Sequence, residues 1–178
     1  SLYAIAPYTF YRCSALQSVS FTENSLISEI GPSAFEGCSS MRSFTLPSTK
    51  GVAVISENTF KDCRSLASFV VPIATRYICD SAFSGCTALG SVTFADPSNV
   101  EELGRTVFQD CRELVEIVLP EKIHNMGQGT FKNCSKLEKV ILPKNPNLKE
   151  IRFSAFEKCT NLKYIDVLHN NTTFDLGD

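Results

Sequence analysis

Eight cysteines are the residues of this sequence with the most obvious capacity for chemistry. In a chain of 178 residues, that number raises the possibility of a disulfide framework or a metal site. Seven of the eight belong to one recurring motif, Phe-x-x-Cys, and they are Cys13, Cys38, Cys63, Cys86, Cys111, Cys134 and Cys159. Such a recurrence indicates a repeated structural unit before it indicates a reaction.

The regular spacing predicts what the motif cysteines do. Neighbouring units of a stack lie about 4.8 Å apart, a separation that permits a disulfide. However, each motif cysteine falls at a core position, an odd number of thiols cannot all pair, and zinc needs ligands that converge rather than line up. We therefore expect buried, reduced thiols, with a disulfide as the alternative, and no metal site. Cys79 lies off the motif and is expected to be the most exposed or most reactive thiol.

The other chemically capable residues do not form a catalytic pattern. The two histidines, His124 and His169, are neither close in sequence nor equivalent within the repeat. Glu101 and Glu102 fall in a variable loop, where solvated charges are common, and no phosphate-binding loop or nucleophile elbow occurs. The sequence therefore predicts no enzyme and no cofactor. An enzymatic role would require catalytic groups supplied from outside this chain.

Composition excludes two further classes of function. Lys and Arg together number 17 against 19 for Asp and Glu, and the formal charge of -2 provides no field that would attract a polyanion. No apolar run approaches the roughly 18 residues that a membrane span needs, and the first ten residues lack signal-peptide features. We expect neither nucleic-acid binding nor membrane insertion.

The repeat becomes clear when its copies are aligned on the motif phenylalanines, Phe10, Phe35, Phe60, Phe83, Phe108, Phe131 and Phe156. Apolar columns then appear at offsets −8, −5, 0, +3, +6, +9 and +11 from each phenylalanine, and Thr75 is the single exception. Units have 23 or 25 residues, and the difference falls between +11 and the next −8, where a surface loop absorbs it. The columns predict a shared core and the gap predicts a variable connection.

Spacing inside one unit predicts its secondary structure. Ile117 and Leu119, at +9 and +11, alternate with outward positions, as in a short parallel strand that is ended by a proline such as Pro120. Offsets 0, +3 and +6 are instead typical of a helical turn, with Ser33, Asn58, Ser81 and Ser154 as candidate caps. A second extended segment is expected through −8 and −5, where the spacing fits more than one regular structure.

The consensus C-x-x-L-x-x-[VIF]-x-[LVF]-P, preceded by I-x-x-x-A-F-x-x-C, resembles the BspA-like class of leucine-rich repeats from Leu2 to about Val167. The resemblance implies an α/β repeat solenoid: a curved stack with a parallel β-sheet on one face and short helical turns on the other. It also implies proteins that are commonly surface-exposed or secreted and that bind host or partner proteins. The sequence departs from this consensus locally, with Ala95 in place of proline and Cys79 in place of glycine.

We expect one domain over residues 1–178, made of seven units, with an off-pattern tail or cap at 169–178. Leu2 already occupies the −8 column of the first unit, which leaves no room for a polar cap before it. Uncapped solenoid ends expose apolar columns and strand edges. This predicts a fragment of a longer repeat protein or an end-to-end homo-oligomer.

The candidate binding residues lie on the outward face of the predicted sheet. Positions +8 and +10 must point away from the core because they alternate with core positions. In the first units they are mainly small hydroxyl residues, and the candidates lie in the third unit and beyond: Val70, Glu116, Val118, Lys139, Ile141 and Tyr164. This mixture of apolar, charged and aromatic residues suits protein recognition. The alternative is that β-branched residues occur there because strands favour them.

The sequence therefore predicts a non-catalytic protein-binding module of a cell-surface or secreted protein, mediating adhesion or recognition of a host or partner. The alternative is an intracellular, cytoplasmic interaction scaffold of the same fold. The alternative is favoured by the thiols, because eight reduced cysteines are easier to maintain in a reducing compartment.

Overall fold

In the computed structural model, which describes residues 2–47, 51–144, 148 and 150–167, the chain winds as a parallel β-solenoid. Each of the seven sequence units forms one turn, so residues at the same offset lie beside one another in successive turns. Among the described residues, no helix has the length and apolarity needed to cross a bilayer.

Each of the first six turns begins with a very short strand, and all seven turns end with a longer one; in the described part of the seventh turn the longer strand is the only one. The strands are β1 (Ala4–Ile5), β2 (Ser18–Ser20), β3 (Glu29–Ile30), β4 (Ser43–Thr45), β5 (Val54–Ile55), β6 (Ser68–Val71), β7 (Tyr77–Ile78), β8 (Ser91–Phe94), β9 (Glu102–Leu103), β10 (Glu116–Val118), β11 (Asn125–Met126), β12 (Lys139–Leu142) and β13 (Tyr164–Val167). The longer strands, β2, β4, β6, β8, β10, β12 and β13, form what we call the strand side. The segment around the motif phenylalanine forms the opposite turn side.

The strands pair in parallel and in the register that the repeat predicts. On the strand side, β2 pairs with β4 and β6 pairs with β8. A third sheet contains β10, β12 and β13, with β12 in the middle. Ile117 faces Val140 and Val118 faces Ile141, so core positions and outward positions each align along the stack. The two-residue strands pair separately, β1 with β3 and β5 through β11 in one four-stranded sheet.

The turn side contains no helix among the described residues, so the predicted helical turns are wrong. Each return segment has two residues in the left-handed region, at offsets −2 and +2. In the fourth unit they are Ser81 (φ 56°) and Gly85 (φ 76°). Two left-handed residues four positions apart cannot belong to one right-handed helix. The serines and asparagine predicted as helix caps (Ser33, Asn58, Ser81, Ser154) are these left-handed residues.

Consecutive β-turns replace the helix and link the units. Within the fifth unit, the N–H of Gln109 donates to the carbonyl of Thr106 at 3.1 Å, and Cys111 donates to Phe108 at 3.2 Å. The N–H groups that alternate with these donate to carbonyls of the next unit. The N–H of Thr106 donates to the carbonyl of Gln128 at 2.9 Å, and that of Phe108 donates to the carbonyl of Thr130 at 2.8 Å. The backbone therefore joins neighbouring units on the turn side as well as through the strands.

The core is a column of stacked aromatic rings surrounded by aliphatic side chains. The motif phenylalanines stack in chain order with centroid separations between 5.1 and 5.8 Å and interplanar angles of 16° or less. Thr75, the polar exception in the columns, is fully buried, and its hydroxyl donates to the carbonyl of Val52 at 2.8 Å. This bond satisfies the hydroxyl, which is why an apolar column tolerates it.

Burial along the columns decreases in the outermost described units. Phe10 and Leu16 in the first unit, and Phe156 and Leu162 in the last, are only partly buried, whereas their counterparts in the central units are completely buried. A unit inside the stack is covered on both sides, while each of these two units has a described neighbour on one side. The tail predicted at 169–178 lies outside the described residues.

Candidate functional site

The cysteine column is part of the core and not a reactive site. Each motif thiol after the first lies against the carbonyl of the motif phenylalanine in the preceding unit. For example, Cys86 Sγ lies 3.1 Å from Phe60 O, and Cys159 Sγ lies 3.0 Å from Phe131 O. A small apolar side chain with a weak donor fits this position, because it fills the core and donates to a buried carbonyl.

Burial also makes four of these thiols poor nucleophiles. Desolvation raises the pKa of Cys38 to about 11 and raises the pKa of Cys63, Cys86 and Cys111 as well. A thiol whose pKa is raised carries less thiolate at neutral pH, and the thiolate is the reactive form. The expected burial of the column is therefore correct for these members, and all eight cysteines are unpaired in the structure.

Cys13 and Cys79 depart from the predictions. Cys13, a column member, is exposed, because no described unit covers the first one. Cys79, which the sequence predicts to be the most exposed or most reactive thiol, does differ from the six buried column members, but it is less exposed than Cys13, and desolvation raises its pKa. The exposure of a thiol thus depends more on which unit of the stack it belongs to than on whether it lies in the motif.

Three further chemically capable residues make surface contacts between neighbouring units. His124 Nε2 lies 3.5 Å from Glu102 Oε1, and Glu101 binds Arg76 with an oxygen–nitrogen distance of 2.8 Å. Both pairs join neighbouring units. His169 lies outside the described residues. Within the described part of the chain, no group of three or more His, Cys, Asp or Glu residues could hold a metal ion.

The strand side presents the outward residues that the sequence singled out. Val70 and Val118 at offset +10 are 64% and 53% exposed, and Tyr164 at offset +8 is 59% exposed. Glu116 is exposed as well. These residues are held on paired strands, so the surface they form is fixed by backbone hydrogen bonds.

Two of the predicted residues are less available. Lys139 Nζ forms an ion pair with Asp166 at 3.1 Å, an interaction that raises the pKa of the lysine. Ile141, the register partner of Asp166, is half-buried beside this pair. The predicted patch is therefore apolar at Val70 and Val118. Toward β13 it ends at the ion pair between Lys139 and Asp166.

A cleft at the end of β8 and β10 was not predicted from the sequence. It has a volume of about 530 Å³ and lies between the connection after β8 and the connection after β10. Its lining includes Phe94, Pro97, Val118 and Pro120, with the carboxylates of Asp96, Glu116 and Glu121. The sequence does show that the units differ in length, which is the one signal that points to this cleft. Unit length alone does not reveal the shape of the surface.

The stacked turns, the in-register parallel strands and the repeated core columns define a leucine-rich-repeat solenoid. A family profile described as a BspA type leucine rich repeat region of six copies matches residues 1–72 and 53–176. The chain belongs to this BspA-type leucine-rich-repeat family, and the match points to no catalytic family. No curated protein matches the chain at a significant level.

Solved structures with the same fold come from bacterial proteins. A leucine-rich-repeat protein from T. pallidum is 27% identical with a TM-score of 0.61, over 93% of this chain and 64% of its own. A leucine-rich cell surface protein from Faecalibacterium prausnitzii A2-165 is 26% identical with a TM-score of 0.68, over 96% of this chain and 52% of its own. A leucine-rich-repeat protein from Bacteroides ovatus ATCC 8483, 21% identical with a TM-score of 0.65 over 91% of this chain and 57% of its own, shares the fold. This chain thus spans between about half and two thirds of these structures.

Proposed function

We propose that this chain is a non-catalytic protein-binding module of a surface-exposed or secreted protein, which recognises its partner through the strand side. The observation that carries the proposal is the exposure of two apolar residues, Val70 and Val118, which lie at the same offset on the two neighbouring parallel sheets that contain β6 and β10. Exposed apolar side chains on a preorganised surface lower the entropic cost of binding. Solenoids commonly use such extended faces for recognition.

The proposed location is supported by similarity to the leucine-rich cell surface protein of Faecalibacterium prausnitzii. Adhesion, or recognition of a host protein, is the form of binding we propose for such a location. A cytoplasmic scaffold is the second candidate, because eight unpaired thiols are easier to keep reduced in a reducing compartment. Titration of thiols on protein isolated from its own cells, with and without reductant, distinguishes the two.

The direct test is the paired substitution Val118→Lys and Ile141→Glu. Both residues lie at offset +10 in aligned strands, so the charges are added to the proposed contact surface. Burying an unpaired charge in an interface costs several kcal/mol, so binding to a panel of immobilised extracellular proteins should fall by more than about 30-fold. Surface plasmon resonance measures the loss, and circular dichroism checks that the fold remains.

The matched control is a pair on the turn side, Arg112→Ala and Lys136→Ala. These residues form exposed ion pairs with Asp110 and Glu113, which contribute little to stability. Binding by the control variant should match the unmodified protein. If the turn-side pair loses binding and the strand-side pair retains it, the partner binds the opposite surface.

A further inference from the structure

The connections that follow the strand-side strands differ in length, and this difference shapes the surface at the ends of those strands. Residues 95–99 join the last core position of the fourth unit to the first of the fifth, and they form a five-residue connection. The connections on either side, residues 72–74 and 120–122, have three residues each. The longer connection therefore extends beyond both neighbours and leaves a step against the shorter one that follows. The cleft of about 530 Å³ occupies that step.

The wall of the cleft is braced on both sides by Asn99. Its side-chain amide donates to the carbonyl of Ile73 in the preceding connection at 2.9 Å, and its side-chain oxygen accepts from Lys122 Nζ in the following one at 2.6 Å. At the base of the same connection, the N–H of Ala95 donates to the carbonyl of Val71 at 3.1 Å. Proline, which occupies this offset in four other units, could not make that bond. The cleft is therefore preformed.

The lining combines an apolar floor with carboxylates that form no ion pair or hydrogen bond of their own. Phe94 and Val118 expose apolar surface to the cleft, and Pro97 and Pro120 lie on its two walls. Most carboxylates among the described residues form ion pairs or hydrogen bonds, and five do not: Glu29, Glu57, Asp96, Glu116 and Glu121. Three of these five line this one cleft.

Neighbouring cations compensate this charge only in part. Lys122, the one basic residue of the lining, donates to the neutral side-chain oxygen of Asn99 and keeps its positive charge, so the lining carries three carboxylates against one ammonium group. Lys139, the register partner of Glu116 on β12, interacts electrostatically with Glu116, but its ammonium group forms its ion pair with Asp166. A cleft with an excess of negative charge and partly apolar walls favours ligands of opposite charge.

We propose that this cleft binds an extended basic segment of the partner protein, with a lysine or arginine side chain among its carboxylates and an adjacent aliphatic side chain on Phe94 and Val118. The inference rests on the proposed function and specifies its partner chemistry. A lysine or arginine fits because its aliphatic stem packs on apolar surface while its charged end reaches the carboxylates. A strand-like segment fits because alternate side chains of an extended peptide point to the same side.

The test uses an array of immobilised synthetic peptides of random sequence and equal length. The unmodified protein should retain peptides in which Lys or Arg adjoins an aliphatic residue. The variant with Glu116→Gln and Glu121→Gln should bind the same peptides at least about tenfold more weakly. Raising the salt concentration from about 0.05 M to about 0.5 M should also weaken binding, because the Debye length shortens from about 14 to about 4 Å. Thermal unfolding should change little, because both side chains are exposed and the electrostatic interaction of Glu116 with Lys139 is secondary to the ion pair between Lys139 and Asp166.

The matched control is Glu29→Gln with Glu57→Gln. These are the other two carboxylates without partners, they lie outside this cleft, and the change in net charge is identical. The control should bind as the unmodified protein does. Equal weakening by both variants would show that only the overall charge matters and would overturn the site.

Two further outcomes separate this inference from the proposed function. If the array retains no basic peptides while Val118→Lys with Ile141→Glu still abolishes binding to the protein panel, the cleft proposal is overturned and the strand-side function stands. If basic peptides bind in a manner that depends on Glu116 and Glu121 while the panel proteins bind the turn side, the cleft proposal stands and the strand-side function falls.

Discussion

At the scale of single residues, the motif cysteine combines two properties that other side chains of its size lack together. It is apolar enough for a fully buried column, and it donates to the carbonyl of a phenylalanine one unit away. That carbonyl also accepts from the N–H three residues later in its own unit, as Phe60 O does from Cys63 N at 3.1 Å. The thiol therefore ties the turn of one unit to the turn of the next.

Replacing Cys86 tests the contribution of this hydrogen bond. Cys86→Ala removes the sulfur and its bond to Phe60 O and should lower the free energy of unfolding by about 1–3 kcal/mol. Cys86→Ser keeps a donor at the same place and should lose less than the alanine variant. Urea denaturation followed by circular dichroism measures both. Equal losses would mean that the thiol contributes only volume.

The exposure of the thiols leads to a second prediction at this scale. Iodoacetamide applied to the native protein should label Cys13 first and Cys79 more slowly, because the latter is partly buried and its pKa is raised. The six other cysteines should be labelled only after unfolding. Mass spectrometry of proteolytic fragments gives the order, and early labelling of Cys86 or Cys111 would contradict the buried column.

At the scale of elements, the strands could be predicted from the sequence and the turn side could not. Alternation at +8 to +11 has the period of a strand and no other regular structure, and the outward orientation it predicts for Val70 and Val118 is confirmed. The three-residue spacing of Phe83, Cys86 and Leu89 is ambiguous, because consecutive β-turns, each closed by a hydrogen bond to the residue three positions earlier, repeat it as well as a helical turn does. The deciding signal was at +2, where Gly, Asp and Asn predominate, as left-handed positions favour.

The predicted helical turn and the observed β-turns imply opposite effects of one substitution, Gly85→Ala. In a helix, Gly85→Ala would stabilise by about 1 kcal/mol. In the observed turn, φ is +76° and an added Cβ would lie 2.7 Å from Asp62 Oδ1, so we expect a loss of about 1–2 kcal/mol. The control is Gly90→Ala, where φ is not positive and the nearest atom would lie 3.6 Å away. Thermal denaturation of both variants settles the sign.

At the scale of the whole molecule, stability is shared between units, because each one buries its columns against its neighbours. Leu114→Ala in the fifth unit should cost about 2–5 kcal/mol, the usual range for a fully buried leucine. The loss should appear on both sides of the substitution, as faster amide exchange in the fourth and sixth units. An unchanged urea midpoint would show that the position is not core.

The candidate site was only partly predictable at this scale. Periodicity indicates which residues of the strand side face outward, and it correctly predicts the exposure of Tyr164. It does not predict that Lys139 turns to Asp166, because that depends on side-chain geometry between two units. Nor does it predict the cleft, which arises from how far residues 95–99 extend relative to residues 120–122. Loop length is visible in the sequence, but loop conformation is not.

The backbone bonds between successive turns also determine how the molecule responds to force. Every such bond in the fifth unit, from Thr106 N to Gln128 O through Asp110 N to Lys132 O, joins one turn to the adjacent one. A chain pulled from its two ends along the stack therefore loads one set of bonds at a time, so that the outermost unit peels away first. Each released unit would add roughly 80–90 Å of contour length. The solenoid would yield stepwise as an extensible tether and dissipate work at each step, while its inner units stay folded.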